Sequence, residues 1–234
     1  YIKPFDLVIH KGEVVGFTGL LGSGRSETVR VLYGAERPDE GTLQVKGNGI
    51  TAKHPITSMH AGMAYLPEDR KNEGIIADLS VRENMIMALQ AKRGMFHLLS
   101  RKQQEEFTDK YIEMLQIKTA SRETPIKSLS GGNQQKAIIA REVEQDSSLM
   151  IFVQPTRGLD IGAIENIHKQ IIAERDKGKA ILLISLELDE IMNCADTIAV
   201  IYNGSIQKIA KASELTTNEV GEFMMGVKNK EKEA

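Results

Sequence analysis

Residues 14–26 read VVGFTGLLGSGRS and decide the fold. The run opens with two valines, which are typical of a buried strand. Residues 19–26 fit the pattern G-x-x-x-x-G-[basic]-S, and the apolar residues after them recur at helical spacing, at Val29, Leu32 and Tyr33. A strand, a glycine loop and a helix in this order predict a phosphate-binding loop in an α/β fold, because such loops hold phosphate at a helix N-terminus.

The glycine loop offers a set of candidate nucleotide contacts. Its glycines let backbone N–H groups turn toward a β-phosphate, and the helix N-terminus adds partial positive charge. Ser26 offers a hydroxyl to magnesium, whereas Arg25 stands where a lysine is usual and is bulkier and planar. The alternative is a glycine-rich turn without a ligand. We expect nucleotide contacts from Gly19, Gly22, Ser23, Gly24, Arg25, Ser26 and Glu27.

Length and composition exclude several classes of protein. The chain has 234 residues, which suits one large domain or two small ones and is enough to bury a core. Its 30 Lys and Arg are balanced by 32 Asp and Glu, and a formal charge of −2 does not favour nucleic acid as a partner. No apolar run approaches the roughly 20 residues of a membrane helix, and a single cysteine, Cys194, excludes an internal disulfide. Because the chain begins at Tyr1 and its strand pattern starts almost at once, we expect a piece of a longer polypeptide.

The first third of the chain continues the α/β pattern. A strand, a turn and a second strand are predicted over residues 5–19, and the helix after the glycine loop is predicted to end near Gly34. Turns at residues 38–41 and 47–49 enclose a short strand at residues 42–45. This pattern predicts an antiparallel edge.

The middle of the chain is predicted to be a helical insert. Residues 78–145 contain two possible capping boxes, which begin at Ser80 and Ser100 and predict helix starts. A buried strand, a helix, a second buried strand and a hairpin that turns at Asn-Gly follow, at residues 149–153, 162–176, 180–185 and 197–209. The sequence therefore predicts one domain at residues 1–234. Its parts are a core with a β edge at residues 1–77 and 146–215, the insert, and a tail at residues 216–234 that frays from residue 228.

Three motifs identify a family. Residues 129–136 read LSGGNQQK and resemble the signature sequence of ATP-binding-cassette (ABC) ATPases, in the form found in simple-sugar importers. Residues 67–71, PEDRK, resemble a stretch of the second cassette in tandem-cassette sugar importers, and residues 155–160, PTRGLD, are similar to their D-loop region, which includes Asp160. The resemblance covers nearly the whole chain. It implies a RecA-like P-loop NTPase core with an antiparallel β edge subdomain and an inserted α-helical subdomain.

The resemblance also implies how the signature works. In this family two cassettes face head to tail, so each signature closes on the ATP held by the opposite glycine loop. The implied signature contacts of this chain with a partner's nucleotide are Ser130, Gly131, Gly132, Asn133 and Gln134. The implied cofactors are ATP and Mg²⁺, with Ser26 and Glu68, at the Q-loop position, as magnesium ligands.

Five positions depart from the family pattern. Val153 and Gln154 stand where the family has an aspartate that supports magnesium and a glutamate that acts on water. Valine supplies no oxygen ligand, and an amide cannot accept a proton from the water. The other three departures are Glu68 for a glutamine, Leu186 for the switch histidine and Arg25 for the loop lysine. We therefore expect a cassette that binds ATP but hydrolyses it weakly or not at all, through natural divergence rather than as an engineered trap.

The resemblance implies several partners and a location. The partners are the first cassette of the same polypeptide, the transmembrane permease subunits and, through the permease, an extracytoplasmic solute-binding protein. The implied location is the cytoplasmic face of the cell membrane, in a bacterial-type importer. We expect the permease to contact residues 68–82, and a solvated charged loop is the alternative reading. The solute stays open among ribose, galactose, galactofuranose and nucleosides.

Other functions agree with parts of the sequence. A scaffold cassette without nucleotide is favoured by Arg25 and by the missing metal carboxylate. A soluble paired-cassette ATPase acting on ribosomes or DNA is opposed by the charge balance and by the sugar-importer signature. The five histidines lack zinc-like spacing, and the acidic residues Glu187, Asp189 and Glu190 are interpreted as a helix start. Tyr1 is a candidate adenine-stacking aromatic, but it lies closer to Gly12 and Glu13 in the chain than the family's stacking residue does.

Overall fold

The computed structural model describes residues 2–37, 39–94 and 96–227. Its strands are, in chain order, β1 Val14–Thr18, β2 Leu43–Val45, β3 Asn48–Ile50, β4 Met63–Leu66, β5 Leu149–Val153, β6 Ala180–Ile184, β7 Thr197–Tyr202 and β8 Ser205–Lys211. Six of these form one sheet in the order β4-β5-β6-β1-β7-β8, in which β8 alone pairs antiparallel, while β2 and β3 form a separate antiparallel pair. The predicted α/β class and antiparallel edge are confirmed.

The helices connect and cover these strands. They are α1 Arg25–Leu32, α2 Pro55–His60, α3 Val81–Arg93, α4 Arg101–Met114, α5 Gly131–Val143, α6 Ile161–Asp176, α7 Leu188–Cys194 and α8 Thr217–Met224. A π-helical turn at Arg70–Gly74 follows β4, and short 3₁₀ turns lie at Ile126–Ser128 and Ala212–Glu214. Helices α3, α4 and α5 lie between β4 and β5 in the chain, where the helical insert was predicted. None of the helices in the described ranges is long and apolar enough to cross a lipid bilayer.

Both faces of the large sheet are covered, which explains why its strands are almost continuously apolar. Successive residues of β5 point to opposite faces. Met150 and Phe152 pack in the core beneath α3, α5, α6 and α7, whereas Ile151 and Val153 pack on the side of α1. This arrangement places the carboxyl ends of β1, β4, β5 and β6 at one edge of the sheet, above the start of α1.

Several local predictions are confirmed because their signals are local. Ser80 with Glu83 and Ser100 with Gln103 both form capping boxes, at the starts of α3 and α4. The hairpin between β7 and β8 turns at Asn203 and Gly204, whose φ values of 45° and 71° suit a type I′ turn.

Two strand predictions are wrong in detail. Of residues 5–19 only Val14–Thr18 form a strand; residues 5–10 have alternate side chains half-buried but belong to neither sheet of the described chain. The predicted turn at residues 47–49 lies one residue earlier, at Lys46 and Gly47, because both adopt a positive φ and leave Asn48 and Gly49 to β3. Tyr1, Pro38 of the turn at residues 38–41 and the tail after residue 227 lie outside the described residues.

The segment after residue 215 contains a helix that the sequence analysis did not identify. Thr216 and Glu219 form a capping box at the start of α8. Val220 and Met224 are buried, and the Thr18 hydroxyl lies 3.6 Å from the Met224 sulfur. Helix α8 therefore packs against the end of β1, directly before the glycine loop.

Candidate functional site

The glycine loop joins β1 to α1, as predicted. Gly22 and Gly24 have φ values of 75° and 105°, which L side chains rarely adopt. Gly19 is required for a different reason, since a Cβ there would lie 2.3 Å from the carbonyl oxygen of Ile201. The loop conformation thus depends on glycine at three of the predicted contact positions.

Buried polar atoms in this loop have no partner within the described chain. They are the Ser23 hydroxyl oxygen and the Nε and Nη1 atoms of Arg25, whose residue is only 4% exposed. Burial lowers the pKa of Arg25, and the nearby carboxylates of Glu68 and Glu27 oppose this shift. Leaving buried donors unpaired costs about 1–3 kcal/mol each, more when the group is charged. A bound anion with several oxygens would satisfy them, so the loop fits a phosphate group.

Glu68 links two other elements of the site. Its Oε2 accepts a hydrogen bond from the Ser26 hydroxyl at 3.2 Å, and its Oε1 lies 2.9 Å from Nη1 of Arg157. Ser26 belongs to the first turn of α1, Glu68 follows β4, and Arg157 follows β5. Ligands bind at the carboxyl ends of parallel strands in sheets of this kind. A cavity of about 660 Å³ opens at this point, and its lining includes Ser26, Glu68, Gln135, Val153, Gln154 and Arg157.

The donor set near Ser26 is sufficient for magnesium only with help from a ligand. Mg²⁺ prefers oxygen and is usually held by one or two carboxylates together with substrate phosphates and waters. Ser26 and Glu68 supply one hydroxyl and one carboxylate, and Val153 supplies no oxygen from its side chain. Within the described ranges no group of three or more His, Cys, Asp and Glu side chains is arranged to hold a metal. The two predicted ligands therefore fit a magnesium ion that is bound jointly with phosphate oxygens.

The carboxyl end of β5 carries no acid. Val153 is 2% exposed and packs among apolar side chains. Gln154 is 5% exposed with a φ of 49°, and its backbone N–H donates to the Ile184 carbonyl at 2.8 Å. Its side-chain Oε1 accepts a hydrogen bond from the backbone N–H of Leu186 at 3.3 Å. The amide is thus engaged with the loop after β6.

The signature residues begin α5. Ser130 is the N-cap residue and is exposed, and its hydroxyl accepts a hydrogen bond from Nδ2 of Asn133 at 2.8 Å. Gln134 is buried and donates to the carbonyls of Leu129 and Ile126 at 3.1 and 3.2 Å. These side chains hold the turn before the helix, in whose first turn Gly131 and Asn133 are half-buried and Gly132 is buried. In the described chain none of the five predicted signature residues lines the 660 Å³ cavity, although the next residue, Gln135, does.

Asp160 and Glu27 take ordinary positions on their helices. Asp160 is the N-cap of α6, and its Oδ1 accepts a hydrogen bond from the backbone N–H of Ala163 at 2.9 Å. Glu27 is exposed in the first turn of α1, where its charge complements the helix dipole. The acidic cluster at Glu187, Asp189 and Glu190 does lie at a helix start, since α7 begins at Leu188.

The segment at residues 68–82 is only partly exposed. Asp69 is exposed, and its Oδ1 accepts hydrogen bonds from the N–H groups of Lys71 and Asn72, both at 3.0 Å, so that it caps the π-helical turn. Gly74 is buried, and its carbonyl accepts a hydrogen bond from Nη1 of Arg141 in α5 at 2.7 Å. This turn is thereby fixed to the helix that carries the signature. The predicted contact of this segment with a permease stays a prediction.

Arg157 is a site residue that sequence reasoning did not select. The motif PTRGLD was recognised, but the charge of its arginine was not used. A turn places this residue, because the Arg157 N–H donates to the Gln154 carbonyl at 3.2 Å. The sequence signal that could have identified Arg157 is its position as a cationic residue in the loop directly after a buried parallel strand.

These elements define a class of protein. A glycine loop lies between a parallel strand and a helix, and two nitrogen atoms of its buried guanidinium have no hydrogen-bond partner. A helical insert carries LSGGNQQ at a helix N-terminus. The combination is that of a P-loop nucleotide-binding domain. A family model described as ABC transporter matches residues 2–157. The chain belongs to the ABC transporter family, whose cassettes bind ATP with Mg²⁺.

Several curated relatives are similar to most of the chain. The fructose import ATP-binding protein FruK of Bifidobacterium longum (strain NCC 2705) is 45% identical over 200 residues, 86% of this chain and 39% of FruK. The galactofuranose transporter ATP-binding protein YtfR of Escherichia coli (strain K12) is 45% identical over 85% of this chain and 40% of its own length. The nucleoside import ATP-binding protein NupA of Lactococcus lactis subsp. cremoris (strain MG1363) is 40% identical over 96% of this chain and 45% of NupA. The chain spans less than half the length of these relatives.

Solved structures share the fold. A dimeric post-hydrolysis state of the ATP-binding cassette MJ0796 bound to ADP and Pi has a TM-score of 0.78 at 20% identity, covering 90% of each chain. The ATP binding subunit of an ABC transporter has a TM-score of 0.79 at 22% identity, covering 96% of this chain and 92% of that one. The expected ABC ATPase fold is confirmed.

Proposed function

We propose that this chain is the second cassette of a tandem-cassette importer for a simple sugar or nucleoside. In this proposal it binds ATP with Mg²⁺ at residues 19–26 and hydrolyses it weakly or not at all. Its signature completes the nucleotide site of the first cassette of the same polypeptide. The relatives named as fructose, galactofuranose and nucleoside import proteins support the substrate class.

Nucleotide binding is supported by the unpaired groups of the loop. Arg25 is buried with two nitrogen atoms unpaired, although a buried charge is costly unless it is paired and hydrogen-bonded. A phosphate chain supplies the missing acceptors, and the guanidinium can bind two phosphate oxygens at once. Ser26 and Glu68 would hold the magnesium ion, which neutralises phosphate charge when it is bound.

Weak hydrolysis is supported by one observation above the others. Strand β5 ends at Val153 and Gln154 follows it, so the positions that carry the family's metal-supporting and water-activating acids have neither acid. The Gln154 amide accepts a hydrogen bond from the Leu186 N–H and has no proton-accepting role with water. General-base catalysis alone typically contributes about 10²–10⁴-fold, so its loss leaves little turnover.

The signature in trans is supported by its position. Ser130 is exposed at the N-terminus of the 13-residue helix α5 and lies outside the lining of this chain's own cavity. Helix N-termini bind phosphate through free N–H groups and the helix dipole. This arrangement suits contact with a nucleotide held by another cassette. Asp160, at the start of α6, belongs to the same proposed face as the D-loop residue.

The partners and location follow from the family. We place the chain peripherally on the cytoplasmic face of the membrane, where the segment at residues 68–82 contacts the transmembrane permease subunits. The extracytoplasmic solute-binding protein acts through that permease. The hydrogen bond from Arg141 to the Gly74 carbonyl supports this role, because it connects the segment at residues 68–82 to the helix that carries the signature. Contact of this segment with the permease would thereby affect the interface between the two cassettes.

A ligand-dependent unfolding measurement tests the binding step. At Mg-ATP near 100 times its dissociation constant, the free energy of unfolding of the purified chain should rise by about 2.7 kcal/mol. Arg25→Ala should abolish this rise without lowering the stability of the nucleotide-free protein, because two nitrogen atoms of the buried guanidinium it removes have no hydrogen-bond partner. Arg93→Ala, an exposed change at the end of α3, is the matched control and should keep the full rise.

Two outcomes separate the alternatives. If millimolar Mg-ATP leaves the unfolding transition unchanged, the cassette is a nucleotide-free scaffold. If the chain binds ATP and also turns it over steadily without a partner, the proposed division between the two cassettes is wrong. Co-sedimentation with ribosomes would favour the soluble paired-cassette ATPase.

A further inference from the structure

Three groups from three separate elements meet at one corner of the cavity. Oε2 of Glu68 accepts a hydrogen bond from the Ser26 hydroxyl at 3.2 Å. Oε1 of Glu68 accepts one from Nη1 of Arg157 at 2.9 Å. Ser26 and Glu68 are the residues proposed above to hold magnesium. Arg157 is therefore already hydrogen-bonded to one of the two carboxylate oxygens of Glu68 that a metal ion at this corner would use.

The other carboxylates of the cavity lining have their own partners. Asp69 is bonded to the N–H groups of Lys71 and Asn72 and to the Asn72 side chain at 2.7 Å. Glu73 pairs with Arg30 at 3.2 Å. Among the described lining residues, Glu68 is thus the carboxylate in contact with the hydroxyl of the glycine-loop helix. A cation that binds beside Ser26 must compete for it.

We propose that Arg157 competes with Mg²⁺ for the Glu68 carboxylate and thereby makes nucleotide binding at residues 19–26 only weakly dependent on magnesium. This inference rests on the proposed function, because it requires a nucleotide in the glycine loop. Arg157 neutralises Glu68 before a metal arrives, and its positive charge also attracts the phosphates directly. Magnesium therefore adds little to the affinity for nucleotide when it replaces Arg157 as the partner of the Glu68 carboxylate.

The expected size of the effect follows from exposure. The Arg157 side chain is 64% exposed, so its ion pair with Glu68 belongs to the class of surface pairs with modest strength. The guanidinium also repels a second cation at the same carboxylate. We expect the two effects together to change the magnesium dependence about fivefold, which corresponds to about 1 kcal/mol.

The test measures the affinity of the chain for the fluorescent nucleotide mant-ATP in excess EDTA and in excess Mg²⁺. For the unaltered protein the ratio of the two dissociation constants should stay below about threefold. Arg157→Ala should raise the ratio about fivefold, because Glu68 becomes available to the metal. Arg157→Lys should keep most of the unaltered ratio, since it retains a cation, and Arg93→Ala serves as the exposed-arginine control.

A double variant links the effect to the carboxylate. In a Glu68→Gln background, Arg157→Ala should change the ratio by less than twofold, because the group for which the two cations compete has been removed. If the ratio of the two dissociation constants is the same for Arg157→Ala as for the unaltered protein, the inference is overturned. It is also overturned if that ratio exceeds tenfold in the unaltered protein. Absence of mant-ATP binding in both buffers overturns the proposed function, and the competition with it. Arg157 is exposed, and unfolding curves of each variant verify that the fold is retained.

Discussion

The side chain of Gln154 accepts a hydrogen bond from the backbone N–H of Leu186, with 3.3 Å between Oε1 and the nitrogen atom. Gln154 follows β5 and Leu186 follows β6, so the hydrogen bond joins the ends of two neighbouring parallel strands at the edge that carries the glycine loop. In the function proposed above, both positions depart from the family pattern. The hydrogen bond between them gives the Gln154 side chain a structural role at this edge of the sheet.

Replacement of Gln154 by leucine should lower the free energy of unfolding by about 1–3 kcal/mol. Leucine removes the acceptor and leaves the partly buried N–H of Leu186 without this partner, and a donor left unsatisfied costs about that amount. Urea unfolding measures the difference. Gln154→Glu is the matched comparison, because a carboxylate oxygen can still accept the bond. Equal destabilisation by both variants would show that the bond does not stabilise this edge.

Gly19→Ala should destabilise the chain by about 3 kcal/mol and abolish nucleotide binding. The added Cβ would lie 2.3 Å from the Ile201 carbonyl oxygen, so the loop or β7 must move, and overpacking of this kind costs about 1–3 kcal/mol. Thermal unfolding and mant-ATP binding measure the two effects. Gly49→Ala, where a Cβ meets open space, should change neither quantity appreciably. A stable Gly19→Ala protein with unchanged affinity would contradict the role given to this glycine.

The sequence predicted the parts of the fold whose causes are local. The glycine loop, the capping boxes at Ser80 and Ser100 and the Asn203-Gly204 turn each depend on a few consecutive residues, and the structure has all of them. Residues 5–10 show the limit of such reasoning. Their alternating burial agrees with a strand, but a strand also needs a hydrogen-bonded neighbour, and alternation within one segment does not reveal whether one is present.

The site was predicted less completely, for a related reason. Residues 19–26 were selected because the spacing of glycines carries the phosphate-binding function in one short segment. Arg157 and Glu68 are 89 positions apart in the chain, and their contact depends on the order of β4 and β5 in the sheet. A side-chain pair of this kind has no signal in either segment alone.

Ser130→Ala should lower the ATPase rate of the assembled importer about tenfold while leaving the affinity of this chain for mant-ATP unchanged within twofold. The hydroxyl lies at the exposed N-terminus of α5, and loss of one hydrogen bond to a charged group costs about 1.5 kcal/mol, which is about tenfold. The measurement uses the tandem-cassette polypeptide of the proposed function, reconstituted with the membrane subunits proposed for it. Ser213→Ala, an exposed serine outside the signature, is the control. A loss of affinity in this chain would mean that the signature serves its own nucleotide.

His168 of α6 should make stability depend on pH. Its Nε2 lies 3.0 Å from Oε1 of Glu190 in α7, and contacts with Cys194 and then with Glu190 raise its pKa to about 10. Because the folded pKa lies above the value of about 6.5 in unfolded chains, the stabilisation is fully present below pH 6.5. It is lost as the pH rises from 6.5 through 10.

His168→Gln should therefore cost about 2 kcal/mol of unfolding free energy at pH 6, the usual size for a hydrogen bond to a charged group, and much less at pH 10. Urea unfolding of both proteins across this range measures the difference. The exposed His97, changed to Gln in the same way, is the control and should show no such trend. A difference that stays constant from pH 6 to pH 10 would show that the imidazolium charge does not hold α6 against α7. A difference that grows as the pH rises would mean that neutral His168 is the form this contact favours.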